Sequence, residues 1–97
     1  MLIARVIGLV VSTMKYHTLT GRKLLIVQET DVSGKPVGTP IVAVDTVDAG
    51  EGDVVLVAQG SAARQTEETR DAPVDNVIMA IVDTLQTDGA VSFRKGI

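Results

Sequence analysis

Apolar residues in this chain fall into short continuous runs separated by glycine, proline and polar clusters. Residues 2–11 read as a first strand: Leu2, Ala4, Val6, Gly8 and Val10 share one parity, and Ile3, Arg5, Ile7, Leu9 and Val11 share the other. Both faces are apolar except for Arg5, so this strand is expected to be covered on both sides. In a one-layer barrel that requires something packed on the outside, and a neighbouring subunit is the natural candidate. Residues 12–22 are polar, contain Gly21, and read as a loop. Residues 23–30 form a second strand centred on Leu24, Leu25, Ile26 and Val27. Asp31-Val32-Ser33-Gly34-Lys35 is a turn signal in which Gly34 supplies a positive φ. Pro36, Gly38 and Pro40 extend an irregular connection.

A third strand is expected over 41–47, followed by the glycine-rich turn Asp48-Ala49-Gly50-Glu51-Gly52, and a fourth over 53–58. Gly60 breaks it. Ser61-Ala62-Ala63-Arg64 then reads as a short helix with Ser61 as its N-cap. Residues 65–72 are a polar loop ended by Pro73. Residues 77–82 form a fifth strand, Thr87-Asp88-Gly89 a turn, and 90–94 a final short strand. The pattern predicts a mainly β protein: a small closed OB-like β-barrel of five or six short strands, with one short helix between strands four and five. Closure also removes exposed strand edges, a hazard for so Val-rich a chain. One domain spans 1–97, with 85–97 as a tail.

Composition sharpens this picture. Val, Ile and Thr supply 33 of the 97 residues, whereas Tyr16 and Phe93 are the only aromatic residues. Branching at Cβ suits a pleated strand, so a tight aliphatic core is expected. The 45% hydrophobic content is high for a small domain and points to apolar area buried between subunits. There is no cysteine, which excludes disulfides and thiolate metal sites. No apolar run approaches the length of a bilayer span, and the N-terminus lacks a signal-peptide pattern. A soluble protein of the bacterial cytoplasm is expected.

The net charge is −3 and the basic residues are scattered, so neither a nucleic-acid backbone nor an anionic membrane has electrostatic support as a partner. An OB-type module that binds a ligand or single-stranded nucleic acid is the alternative reading of the barrel. Nucleic-acid binding would need aromatic platforms and a basic groove, which two aromatics and an acidic balance do not supply. His17, beside Tyr16 and Thr18, has no partner constellation and reads as a solvated or interface histidine rather than a general base. Asp45 and Asp48, with Asp53 close by, have the spacing of a cation site or acid/base pair. They read more simply as solvated turn acids. The turn over 48–52 lacks the Lys-Ser/Thr ending of a phosphate loop, and its acids would repel phosphate. No cofactor or metal is expected, and the chain is not read as an enzyme.

Several segments together resemble the EutN/CcmL family of microcompartment vertex proteins, over roughly residues 1–84. Arg5-Val6-Ile7-Gly8, then Val10-Val11-Ser12-Thr13 and Lys15, resemble the family's opening strand and its exit. Leu19 and Gly21, followed by Lys23-Leu24-Leu25-Ile26-Val27-Gln28, resemble its second strand. Val44-Asp45-Thr46-Val47 leading into Ala49-Gly50 and Gly52-Asp53 resembles its glycine-rich turn. Gly60-Ser61-Ala62-Ala63-Arg64 resembles its Gly-Ser-Ser-Ala-Arg segment. Pro73-Val74-Asp75 with Ile81-Val82-Asp83 resembles its closing strand. Asp48 stands where the family often has glycine, and Ala62 where serine is common.

The resemblance implies an OB-like barrel that forms a cyclic homo-pentamer with heterologous contacts. Such a pentamer caps the vertices of a bacterial microcompartment, whose facets are tiled by hexameric shell proteins. Hexagons alone tile a flat sheet, and pentagons supply the curvature that closes it. On this reading Arg5, Ile7 and Leu9 of the first strand, with Ser61 and Arg64, are expected at the subunit interface. Ala49, Gly50, Glu51 and Gly52 are expected to approach the five-fold axis, where Glu51 would ring a narrow opening.

Overall fold

A computed structural model of the 97-residue chain describes residues 1–11, 22–64 and 75–96. Seven strands and one 3-10 helix follow in order: β1 (Leu2–Val10), β2 (Leu24–Glu29), β3 (Ile41–Asp45), β4 (Val54–Gln59), the 3-10 helix (Gly60–Arg64), β5 (Asn76–Ile81), β6 (Thr84–Thr87) and β7 (Ala90–Arg94). The first five strands close into a barrel in the order β1-β2-β3-β5-β4. All neighbours are antiparallel except β3 and β5, which run parallel through Val44–Val77 and Asp45–Ile78. The expected closed barrel with a short helical turn after the fourth strand is therefore present. The loop expected over 12–22, His17 included, lies outside the described residues apart from Arg22. So does the polar segment from Gln65 to Pro73.

The barrel interior is aliphatic throughout. Ala4, Val6, Leu25, Val27, Ala43, Val55, Val57 and Ile78 meet inside it, closed by Ala49 and flanked by Leu2, Ile41, Val47 and Ile81. Five strands enclose little volume, so β-branched and alanine side chains fill it where aromatic rings would not fit. A second cluster lies outside the barrel wall. Ala63 of the 3-10 helix covers Val44 and Val77, with Leu24 and Met79 beside them. The helix is short and begins at Gly60 itself, with φ +61° and its amide donating to the Asp75 carbonyl. Gly60 thus opens the turn rather than merely breaking the strand.

Two departures from the expected strands have local causes. β3 ends at Asp45, two residues early, because the Asp45 carboxylate takes the amides of Val47 and Ala49 and turns the chain. In β1 the simple alternation fails: a bulge falls between Val6 and Gly8, after which Gly8 pairs with Ile26 and Leu9 with Leu25. One extra residue in the strand exchanges the faces beyond it. Gly8 therefore points outward with Ile26, and Leu9 takes the parity of buried Leu25.

The tail forms more than the single strand expected at 90–94. β6 pairs with β7 as a separate two-stranded hairpin, with Leu85 opposite Phe93 and Gln86 opposite Val91. Its second strand completes a pairing that a lone polar run, Thr84-Leu85-Gln86-Thr87, does not announce by hydrophobic alternation. The Ser92 hydroxyl donates to the Val32 carbonyl at 2.6 Å, and the Lys95 amide donates to the Asp83 carbonyl.

Candidate assembly surface

Three parts of the surface hold the residues singled out by the sequence. The first is the outer wall of β1–β3. Arg5 and Ile7 are exposed on it, Ile7 by 44%, and Val42 of β3 by 48%. Gly8, Ile26 and Val42 form one row across the three strands. A Cβ on Gly8 would come within 3.3 Å of the Ile26 Cδ1, so the Ile26 side chain leans over the glycine and fills the place a side chain there would take. Leu9 and Val11 are exposed toward the end of the strand. On the inner side of β1 Ala4 and Val6 are buried, whereas Ile7 at the bulge and Leu9, which takes the inward parity near the strand end, are exposed.

The second part is the turn after β3. Asp45 is 5% exposed and accepts from the amides of Val47 at 3.1 Å and Ala49 at 3.0 Å. Reading it as a solvated turn acid was wrong, because these amides and the Lys23 ammonium replace water around it. The Lys23 Nζ lies 3.3 Å from the Asp45 Oδ2 and donates to the Asp48 Oδ1 at 2.9 Å and to the Ala49 carbonyl at 2.7 Å. Hydrogen bonding to Asp48 raises the Lys23 pKa, and the same bond holds the Asp48 carboxyl below its ordinary range. Asp48 has φ +58°, the left-handed region where aspartate is better tolerated than most residues. Glycine would adopt the same conformation without strain.

Asp53 does not join this cluster. Its Oδ2 accepts from the Gly50 amide at 2.8 Å, and Lys95 lies 3.9 Å from its Oδ1. The Gly52 amide donates to the Val6 carbonyl and the Val6 amide to the Asp53 carbonyl, which staples the turn to β1. Ala49 is wholly buried in the barrel core, whereas Gly50, Glu51 and Gly52 are exposed. Among the described residues no three His, Cys, Asp or Glu side chains gather as a metal site. Lys23 was not singled out from the sequence, since its partners lie more than twenty positions away and no local pattern links them.

The third part is the 3-10 helix, which carries the exposed Ser61 and includes Arg64. Buried Ala63 pins it to the barrel wall. A groove of about 340 Å³ also runs between the hairpin and the barrel, lined in part by Arg5, Val32, Val54, Leu85 and Phe93. Thr30, Ser33 and Ser92 add polar lining, and among the described residues Arg5 is its one charged lining residue.

Against known proteins, the family model described as "Ethanolamine utilisation protein EutN/carboxysome" matches residues 1–83, most of the chain. The chain belongs to the EutN/CcmL family. Full-length relatives agree with this. The microcompartment shell vertex protein EutN of Escherichia coli is 41% identical over 95 residues, covering 98% of this chain and 100% of that protein. The carboxysome shell vertex protein CcmL of Synechocystis is 44% identical over 95 residues, covering 98% and 95%. Among solved structures, CcmL of Gloeobacter violaceus superposes with a TM-score of 0.90 at 41% identity, covering 98% of both chains. GrpN of Rhodospirillum rubrum, described as a pentameric microcompartment shell protein, superposes at 0.79 with 44% identity, covering 90% of this chain and 99% of its own. EutN/CcmL proteins are structural shell vertex proteins and not enzymes.

Proposed function

We propose that this EutN/CcmL chain forms a homo-pentamer that caps the vertices of a bacterial microcompartment in the cytoplasm and closes a shell tiled by hexameric shell proteins. The observation that carries this reading is the likeness along nearly the whole chain to shell vertex proteins, a pentameric one among them. The uncovered aliphatic wall of β1–β3 supports it physically, because exposed contiguous apolar surface marks an interaction site. Assembly here is a matter of shape and apolar burial.

Within that ring, Arg5, Ile7, Leu9, Ser61 and Arg64 contribute to subunit contacts, and the exposed tip of the turn, Gly50, Glu51 and Gly52, faces the five-fold axis. Ala49 anchors that tip from inside the barrel core. Native mass spectrometry tests the assembly directly: five copies of the 10.2 kDa chain are expected. A stable monomer or hexamer at micromolar concentration would sink the vertex role. Glu51→Lys tests the axis loop. Altered pentamer stability or shell permeability is expected, and no change in either removes Glu51 from the axis.

A further inference from the structure

Arg5 and Thr30 both line the groove between the hairpin and the barrel, and among the described residues neither side chain has a hydrogen-bond or ion-pair partner. The strand pairing brings them together. Arg5 of β1 stands opposite Gln28 of β2, and the Thr30 amide donates to the Ile3 carbonyl, so Thr30 lies diagonally from Arg5 on the same face of the ladder. Such a diagonal is about 7–8 Å, within the span of a long side chain. Thr30 is 9% exposed, and a hydroxyl so enclosed with no partner in the protein reaches water through the groove it lines. The Arg5 Nη2 lies 3.9 Å from the place a Cβ on Gly34 would take, beside a residue that brings no side chain of its own.

The acids nearest in sequence are already engaged. Asp31 accepts from the Ser33 and Lys35 amides, and Asp53 accepts from the Gly50 amide and lies 3.9 Å from Lys95. The Ser92 hydroxyl is also committed, donating to the Val32 carbonyl. What the groove offers is one free guanidinium, one free hydroxyl and two apolar walls: Val32 and Val54 on the barrel side, Leu85 and Phe93 on the hairpin. Phe93 is the single aromatic side chain among the described residues.

A volume of about 340 Å³ is within the range of small-molecule sites. One cation with a neighbouring donor matches a single carboxylate, which a guanidinium grips through two parallel bonds. A polyphosphate or a nucleic acid needs several cations, and the groove has one. The apolar walls call for an apolar body behind the charge.

We infer that this groove binds a small organic carboxylate. Its carboxylate accepts from the Arg5 guanidinium, with the Thr30 hydroxyl as a second donor, and its aliphatic or phenyl body lies between the hairpin and the barrel. Such a ligand touches both parts and steadies a two-stranded ribbon that is marginal by itself. The site goes beyond the pentamer reading and does not rest on it, since every lining residue belongs to one chain.

The test uses the assembled protein, with its copy number read first by native mass spectrometry. Hexanoate and 3-phenylpropanoate are titrated against methyl NMR signals. Saturable shifts are expected for at least one of them at Val32, Val54 and Leu85, with Ile78 inside the barrel unmoved, and a Kd of about millimolar for so small a ligand. Hairpin amides should exchange more slowly with ligand present. The neutral amides of the same skeletons should bind at least about tenfold more weakly, and Arg5→Gln should raise the Kd by the same factor. Thr30→Val, which keeps the buried volume and removes the hydroxyl, should raise it about threefold to tenfold. It also serves as the second variant if Arg5→Gln does not assemble. Absence of saturable shifts from both carboxylates overturns the site, as it would if a neighbour's acid occupied Arg5 in the ring. Equal binding of acid and amide, or an unchanged Kd in either variant, overturns it too. Inorganic phosphate binding as tightly as the carboxylates overturns the organic class of ligand. None of these outcomes alters the copy number, so the vertex reading is judged separately.

Discussion

Replacing Asp45 by alanine strands two backbone amides at the end of β3. The Asp45 side chain is 1% exposed, accepts from the amides of Val47 and Ala49, and sits 3.3 Å from the Lys23 ammonium. A buried donor left without its acceptor costs about 1–3 kcal/mol. The Ala49 amide is fully enclosed, whereas Val47 is half-buried and is partly rescued by water. The two together give about 3 kcal/mol for Asp45→Ala. Asparagine keeps one acceptor oxygen and loses the charge, so about 1–2 kcal/mol is expected for Asp45→Asn. Against a domain stability of about 5–15 kcal/mol the alanine loss is large. It corresponds to a melting point lower by roughly 10–25 °C in a chain this short. Urea and thermal unfolding measure both variants, at one fixed protomer concentration because assembly adds to apparent stability. The damage should be local in origin: the Ala49 amide should lose most of its hydrogen-exchange protection. An Asp45→Ala variant within about 0.5 kcal/mol of wild type would refute the claim that this carboxylate holds the turn.

Ile78→Ala should cost about 2–5 kcal/mol by urea unfolding, since Ile78 is wholly buried between strands that have little room to collapse; a loss under 1 kcal/mol would mean the barrel interior is not tightly packed. Gly34→Ala should cost about 1–2 kcal/mol, because φ is +91° while the new methyl meets only the Arg5 Nη2 at 3.9 Å, which isolates the backbone strain; a neutral result would show that the turn relaxes freely. The Asp48 carboxyl titrates below its ordinary 3.8 because Lys23 donates to it, so its contribution is complete above 3.8 and fades as pH falls through the lower folded value. The raised Lys23 contributes fully below its ordinary 10.5 and fades as pH rises through its folded value, so the bond stays closed across neutrality. Lys23→Met should return the Asp48 carboxyl to its ordinary value in an NMR titration, and a pKa that stays low would show that Lys23 is not the cause.

The barrel was legible because its strands are built from runs such as Val54-Val55-Leu56-Val57 and are parted by turns with mechanical signatures. At Asp31 the signature is complete: its carboxylate takes the Ser33 amide and hydroxyl and the Lys35 amide, and Gly34 adopts the positive φ. The outer face of β1 was legible in kind and not in detail. Alternation assigns Gly8 to the inside, and only the pairing with β2 reveals the bulge that turns it out. The Lys23–Asp45–Asp48 cluster was hidden for a related reason. It forms between the start of β2 and the end of β3, which an antiparallel pairing brings together and no local window contains. The hairpin was half seen, since β7 carries Val91 and Phe93 whereas β6 contains Leu85 as its single apolar residue.

The same barrel architecture serves nucleic-acid binding elsewhere, and the difference here lies in what the outer wall is made of. Stacking on bases needs aromatic faces, and holding a phosphate chain needs a cationic track. This wall offers Ile7, Gly8, Ile26 and Val42, which can bury area but cannot stack on bases, and Arg5 beside them is an exposed cation rather than a cationic track. The polar chemistry is turned inward on the fold: Asp45 holds its own turn, Asp31 its own loop, and Lys23 joins β2 to the end of β3. The outer wall of β1–β3 keeps exposed aliphatic side chains at Ile7 and Val42, and surface of that kind is suited to burying area against a protein partner rather than to holding a phosphate chain.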